Sequence, residues 1–213
     1  MVRYNKPNMQ LSKIAVKLKP SEPVWHVRLI VLIAIALQLS LQNDLAFGSK
    51  YAVAGLELIL LVLLSIGLLS EALQRLLAIG FIGIISAANI VSLGLVINAL
   101  FTTLQIDGRQ LLISSVAIYL TNIIVFGLLY WEMDNTRQDV PDFDFPQFND
   151  GRKQGWQPTF FDYLYVSITN ASAFSPTDTM PLTHRAKLLM TVQALASLVT
   201  VALVAARAVN ILS

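Results

Sequence analysis

The sequence predicts an all-α membrane protein with five transmembrane helices, and three observations carry that prediction. Of its 213 residues, 55% are hydrophobic and only 13% are charged, whereas soluble domains run nearer a quarter charged. Five apolar runs are long enough to cross a hydrocarbon core of about 30 Å, which takes roughly 20 helical residues. No run alternates apolar and polar residues over about ten positions, as a membrane β-strand would. Backbone polar groups in lipid must be paired within their own segment, so the five runs are helices.

Residues 1–27 form a polar, basic segment. Within it, Met9–Lys19 sets Leu11, Ile14 and Leu18 against Lys13 and Lys17 at helical spacing, between Pro7 and Pro20. That pattern fits an interfacial helix on anionic lipid, and it fits a frayed basic tail equally well. No cleavable signal peptide is expected, because the first apolar run is too long and lacks a small-residue cleavage site. Three crossings, Arg28–Ala46, Tyr51–Ser70 and Leu76–Leu104, make up a region over 28–106. The third reaches about 45 Å at 1.5 Å per residue, so it must tilt, kink or protrude. Its Gly80, Gly83, Ser86, Ala87 and Ala88 are small enough for another helix to approach closely.

The remaining chain, 107–213, holds the fourth crossing, Leu111–Trp131, and the fifth, Leu182–Leu212. Between them, 132–158 interleaves Asp134, Asp139, Asp142, Asp144 and Asp150 with Phe143, Phe145, Phe148 and Trp156. A disordered acidic linker would be poor in aromatics, so a small ordered cap is expected there. Pro158 suits the first turn of a further helix over 159–172.

Phe161 to Asn210 resembles the pore-loop half of a potassium channel. In that superfamily a pore helix, D-x-L-Y-x-S, leads into T-[VI]-G-Y-G-D, then P-[LV]-T, then an inner helix. Here Asp162, Leu164, Tyr165 and Ser167 fall on the pore-helix positions, and Asp178, Pro181, Leu182 and Thr183 on those after the filter, without a gap. The filter itself falls on Ala173, Phe174, Ser175, Pro176 and Thr177. Both glycines and the tyrosine are missing. A potassium filter replaces the ion's water with rings of backbone carbonyls, in a geometry that glycine reaches most easily and that proline disfavours. The resemblance implies that 159–172 is a re-entrant pore helix, that 173–178 is a degenerate filter, and that 182–212 is the inner helix. It also implies a homotetramer, since one pore loop cannot enclose a conduit. Helices one to three carry no arginine at every third residue and do not look like a voltage sensor. A-F-S-P-T-D-T-M-P-L, with W-E-x-D after the fourth helix, also resembles a group of uncharacterised bacterial multi-pass membrane proteins, which implies a bacterial inner membrane.

Intramembrane polar residues are costly and invite explanation. Gln193, Ser197, Thr200 and Arg207 share one face of the fifth helix, spaced four, three and seven apart. Two roles fit such a face: the wet lining of a conduit, or hydrogen bonds to a neighbouring helix. Ser114, Ser115, Thr121 and Asn122 on the fourth helix, with Ser86 and Asn89 on the third, read as interhelical hydrogen-bonding groups. Glu57 lies about 9 Å below the start of the second helix. It fits a proton relay, a partner for a basic residue, or a carboxyl that is protonated or reaches the interface. Gln38 fits a hydrogen-bond partner. Asp178 fits a mouth charge attracting cations, and Asp178 or Thr179 also fits a cap for the last helix.

The chain has no cysteine, and its two histidines, His26 and His184, lie far apart, so no metal site is expected. No nucleotide loop, nucleophile elbow or H-E-x-x-H appears, so neither an enzyme, nor a cofactor, nor a nucleic-acid partner is expected. Twelve Lys and Arg residues fall on one side of a five-crossing topology, among them Arg3, Arg75, Arg152 and Arg185. Only Lys50, Arg109 and Arg207 fall on the other. The positive-inside rule then places the N-terminus in the cytoplasm, which inverts the usual orientation of a channel pore loop. Two functions remain open: a pore passing ions or small solutes without potassium selectivity, and a non-conducting membrane scaffold or accessory subunit.

Overall fold

The computed structural model describes residues 25–41, 43–46, 50–65, 71–101, 108–135, 141–149, 156–172 and 178–212. They are mostly helical. The helices are α1 (Trp25–Leu39), α2 (Lys50–Ser65), α3 (Glu71–Phe101), α4 (Gly108–Asn135), the single turn α5 (Pro146–Asn149), α6 (Phe160–Ala171) and α7 (His184–Leu212). Two short strands, β1 (Phe143–Asp144) and β2 (Met180–Pro181), pair antiparallel, with Phe143 opposite Pro181.

Among the described residues, three helices are long and apolar enough to cross a membrane: Leu76–Ala99 in α3, Gly108–Asp134 in α4 and His184–Ala206 in α7. The first two predicted crossings are shorter than expected. α1 has 15 residues and α2 has 16, which is about 22–24 Å at 1.5 Å per residue. α1 ends at Leu39 instead of running to Ala46. The Ser40 hydroxyl donates to the Leu37 carbonyl at 2.6 Å, offering the backbone an alternative to the helical ladder. A 3-10 turn at Asn43–Leu45 follows, with Leu45 fully buried. Residues 66–70 and 102–107, where the second and third runs end, lie outside the described residues, as does the basic segment 1–24.

α4 is the centre of the packing. It touches α1, α3, α6 and α7, and 67% of its apolar window is buried, against 33% for α3 and 22% for α7. One apolar cluster joins α1, α2, α3 and α4 through Val31, Ala54, Ile85 and Val125 and reaches Phe160 of α6. The close approach expected at Gly80 and Gly83 is not present among the described residues: a Cβ at either position would meet none of their atoms within 4 Å. It occurs on α4 instead. A Cβ at Gly127 would lie 3.2 Å from the Leu164 Cα atom on α6.

α6 spans 12 residues, about 18 Å, and packs against both α4 and α7. Pro158 precedes its N-cap and does not sit in its first turn. Thr159 is the N-cap: its amide and hydroxyl donate to the Asp162 carboxylate at 2.7 and 2.8 Å. The carboxylate at N3 thus closes a capping box. In the segment before α6, Phe143 and Phe145 turn inward, whereas Phe148 is exposed. Phe143 and Phe145 are buried against Tyr130 and Tyr163, at ring separations of 5.2–6.0 Å, and Trp156 stacks edge-on over Phe145.

Candidate functional site

A network of six side chains, five of them buried, locks α4, α6 and α7 together. Gln193 of α7 is fully buried and uses its whole amide. Its nitrogen donates to the Ser167 hydroxyl at 2.6 Å and the Ser167 carbonyl at 3.1 Å. Its oxygen accepts from the Tyr130 hydroxyl at 2.5 Å and the Asn170 amide at 2.8 Å. Ser167 in turn donates to the Ile123 carbonyl of α4 at 2.6 Å, and Asn170 donates to the Met190 carbonyl of α7 at 2.9 Å. Asn122 of α4 donates to Ser197 of α7 at 2.9 Å. In a dry interior such bonds are strong, and an unmet partner is expensive.

A second knot ties the ends of these helices together. The buried carboxylate of Asp142 receives Arg185 Nε at 3.0 Å and Nη2 at 2.6 Å, and it also accepts the Thr183 hydroxyl. The Asp142 amide donates to Asp134 at the end of α4 at 2.5 Å, and Tyr163 of α6 donates to the other Asp134 oxygen at 2.5 Å. The start of α7, the end of α4 and α6 therefore share one ionic node. Thr183 also caps α7: its hydroxyl accepts from the Ala186 amide at 3.3 Å. The cap is thus Thr183 and neither Asp178 nor Thr179, which fit that role in the sequence. Asp178 is exposed and Thr179 buried.

The filter-equivalent residues Ala173, Phe174, Ser175, Pro176 and Thr177 lie outside the described residues. Of the stripe on α7, Gln193, Ser197 and Thr200 all point into the chain's own core. Gln193 and Ser197 bond to α4 and α6, while Thr200 donates to its own helix at Ala196 at 2.7 Å. The side chain of Arg207 lies outside the described residues. The outward line of α7 carries exposed Leu188, Leu195, Leu198 and Val201, with Thr191 as its one exposed hydroxyl among these positions.

Elsewhere the interhelical groups divide. Asn89 donates to the Ile118 carbonyl of α4 at 3.3 Å. Ser86 and Ser115 instead bond back to carbonyls four residues earlier in their own helices, and buried Ser114 has no partner among the described residues. Glu57 is fully buried, and its carboxyl oxygens have no hydrogen-bond partner among the described residues.

Tyr130 and Asn170 are the residues that sequence reasoning missed. Tyr130 reads as part of an apolar run, and Asn170 as part of an Asn-Ala-Ser triplet. The three-residue spacing from Ser167 to Asn170 puts both on one helical face, and that was the available signal.

An open groove of about 610 Å³ flanks the C-terminal end of α6, lined by Ser172, Lys187 and Thr191 at one end and by Leu195, Leu198 and Val201 along α7. The fold is mostly helical, with three helices long and apolar enough to cross a membrane and a short helix, α6, packed against two of them. No protein-family model matches the chain, and no curated protein or solved structure does either.

Proposed function

We propose that the chain is a multi-pass protein of a bacterial inner membrane, built on a pore-loop-type module that acts as a non-conducting scaffold or accessory subunit. In this reading it has five crossings, α6 re-enters the bilayer, and the N-terminus is cytoplasmic. The observation that carries it is the direction of the α7 polar stripe. Gln193 and Ser197 are consumed by α4 and α6, so α7 keeps no described hydroxyl–amide line for a conduit. A conducting path must replace an ion's hydration with fixed oxygens or keep it wet, and Leu195, Leu198 and Val201 do neither. The loop Ala173–Thr177, with proline and no glycine, supports the same conclusion. Self-association, as a tetramer by resemblance, fits the apolar surface that α7 leaves uncovered.

A second function has one observation in its favour. Four copies of the groove beside α6, arranged around an axis, would surround a common space with Thr191 and Lys187 at its rim. Reconstitution into liposomes under potassium and sodium gradients separates the two. The scaffold predicts flux equal to that of protein-free vesicles for both ions. Flux of either ion above that level refutes it, and selectivity below about tenfold (about 1.4 kcal/mol) would then fit a pore without a potassium filter.

A further inference from the structure

We infer that Glu57 and Gln38 form a proton-binding site inside the helix bundle, with the proton carried on the Glu57 carboxyl. The site is independent of whether the α4–α6–α7 module conducts.

Glu57 is fully buried on α2, and among the described residues neither carboxyl oxygen has a hydrogen-bond partner within 3.5 Å. Gln38 of α1 lies beside it, and its amide nitrogen is also buried without a partner. No charged residue occurs over 29–43, 76–106 or 110–131. The charged groups on the packed elements sit at the ends of the bundle. Arg28 precedes Gln38 by ten residues, about 15 Å along α1. Arg75 precedes Asn89 by 14 residues, about 21 Å along α3, and Glu71 is one turn further off. Lys50 and Tyr51, at the start of α2, are about 10 Å away by helical rise.

An ionised carboxylate without a counter-charge in a dry interior is heavily penalised. Two species escape that penalty: the neutral acid, and a carboxylate holding a cation. Gln38 distinguishes them. A protonated carboxyl and a primary amide each offer one donor and one acceptor to the other, so they can close two hydrogen bonds. A carboxylate can use only the amide N–H. The pair is therefore complementary when the proton is present.

Beside Gln38 lies a cavity of about 10 Å³, also lined by Asn89 and Ser92 and, toward the loop, by Leu41 and Ala46. It is about the size of one water and carries the polar partners a water needs. The loop end of the bundle bears Asp44, and Gln110 bonds there to the Ser40 carbonyl at 3.4 Å, which brings Arg109 to the same end. Exchange is a simple proton transfer: the Glu57 O–H bond breaks, a water molecule reaching the carboxyl past Gln38 accepts the proton as hydronium, and the carboxylate is left behind until it is reprotonated. Nothing is oxidised or reduced.

Infrared difference spectra of the purified chain in nanodiscs, recorded between neutral and alkaline pH, test the site. The carbonyl stretch of a protonated carboxylic acid should be present at neutral pH and lost at alkaline pH. Glu57→Gln should abolish it, and Gln38→Leu should shift it. If Glu57→Gln fails to fold, wild-type chain with carboxyl-13C glutamate should show the same band displaced by the isotope. Absence of any glutamate acid band at neutral pH would overturn the inference. So would a band that disappears when sodium replaces choline, since the site would then hold a metal cation.

Discussion

Asp142 and Arg185 form one ion pair, yet the two residues are not equivalent. The Asp142 side chain is 0% exposed and that of Arg185 41%. Removing the arginine leaves a dry carboxylate with, among the described residues, the Thr183 hydroxyl alone, whereas removing the acid leaves a guanidinium that water already reaches. Breaking a buried pair from the wet side costs about 3 kcal/mol, and losing one neutral hydrogen-bond equivalent about 1 kcal/mol. Arg185→Leu should therefore destabilise the protein clearly more than Asp142→Asn, read as denaturant midpoints in detergent micelles. Equal losses would mean that water reaches Asp142. The two residues were visible in the sequence only as separate charges, one in an acidic segment and one in a basic count. Forty-three positions separate them, and no local pattern can pair side chains across that distance.

The elements show where local signals suffice and where they fail. Thr159 with Asp162 three residues on is a capping box in any context, and α6 begins there. Gly127 is the opposite case. Isolated in an apolar run, it carries no local signal, whereas Gly80 and Gly83 look like a packing motif and have open space around them. Gly127→Ala adds a Cβ 3.2 Å from the Leu164 backbone, which cannot yield as a side chain could. Such overpacking should outweigh the gain in helix propensity and cost about 1 kcal/mol net. It should also loosen the Ser167–Ile123 bond that holds α6 to α4. Gly83→Ala should be neutral or slightly stabilising in the same unfolding assay. Equal effects at both glycines would show that α6 does not press on α4 at this point.

At the scale of the molecule, the exposed surface is the main feature. α3 and α7 leave most of their apolar windows uncovered, which is untenable in water and ordinary against lipid or further copies of the chain. Orientation then depends on charge. The absence of cysteine allows single cysteines to be placed at Gly108 and at exposed Gln157, on either side of α4. With the Lys and Arg excess inside, a membrane-impermeant thiol reagent applied to whole cells should label Gly108→Cys and spare Gln157→Cys. The reverse pattern would restore the orientation usual for channel pore loops.

By itself, the sequence determined the helical state, three helices long and apolar enough to cross a membrane, and the short helix before α7. All of these follow from composition, run length and capping residues, which act within about 20–30 neighbouring positions. Periodicity also showed that Gln193, Ser197 and Thr200 share a face. Which neighbour that face meets is not a property of the helix that carries it. Only the tertiary structure decided that the face turns toward Tyr130, Ser167 and Asn122. It also decided that Glu57 comes to lie beside Gln38 in the core. A helical stripe specifies an angle about its own axis; its meaning comes from the packing of other helices, set by contacts tens of residues apart.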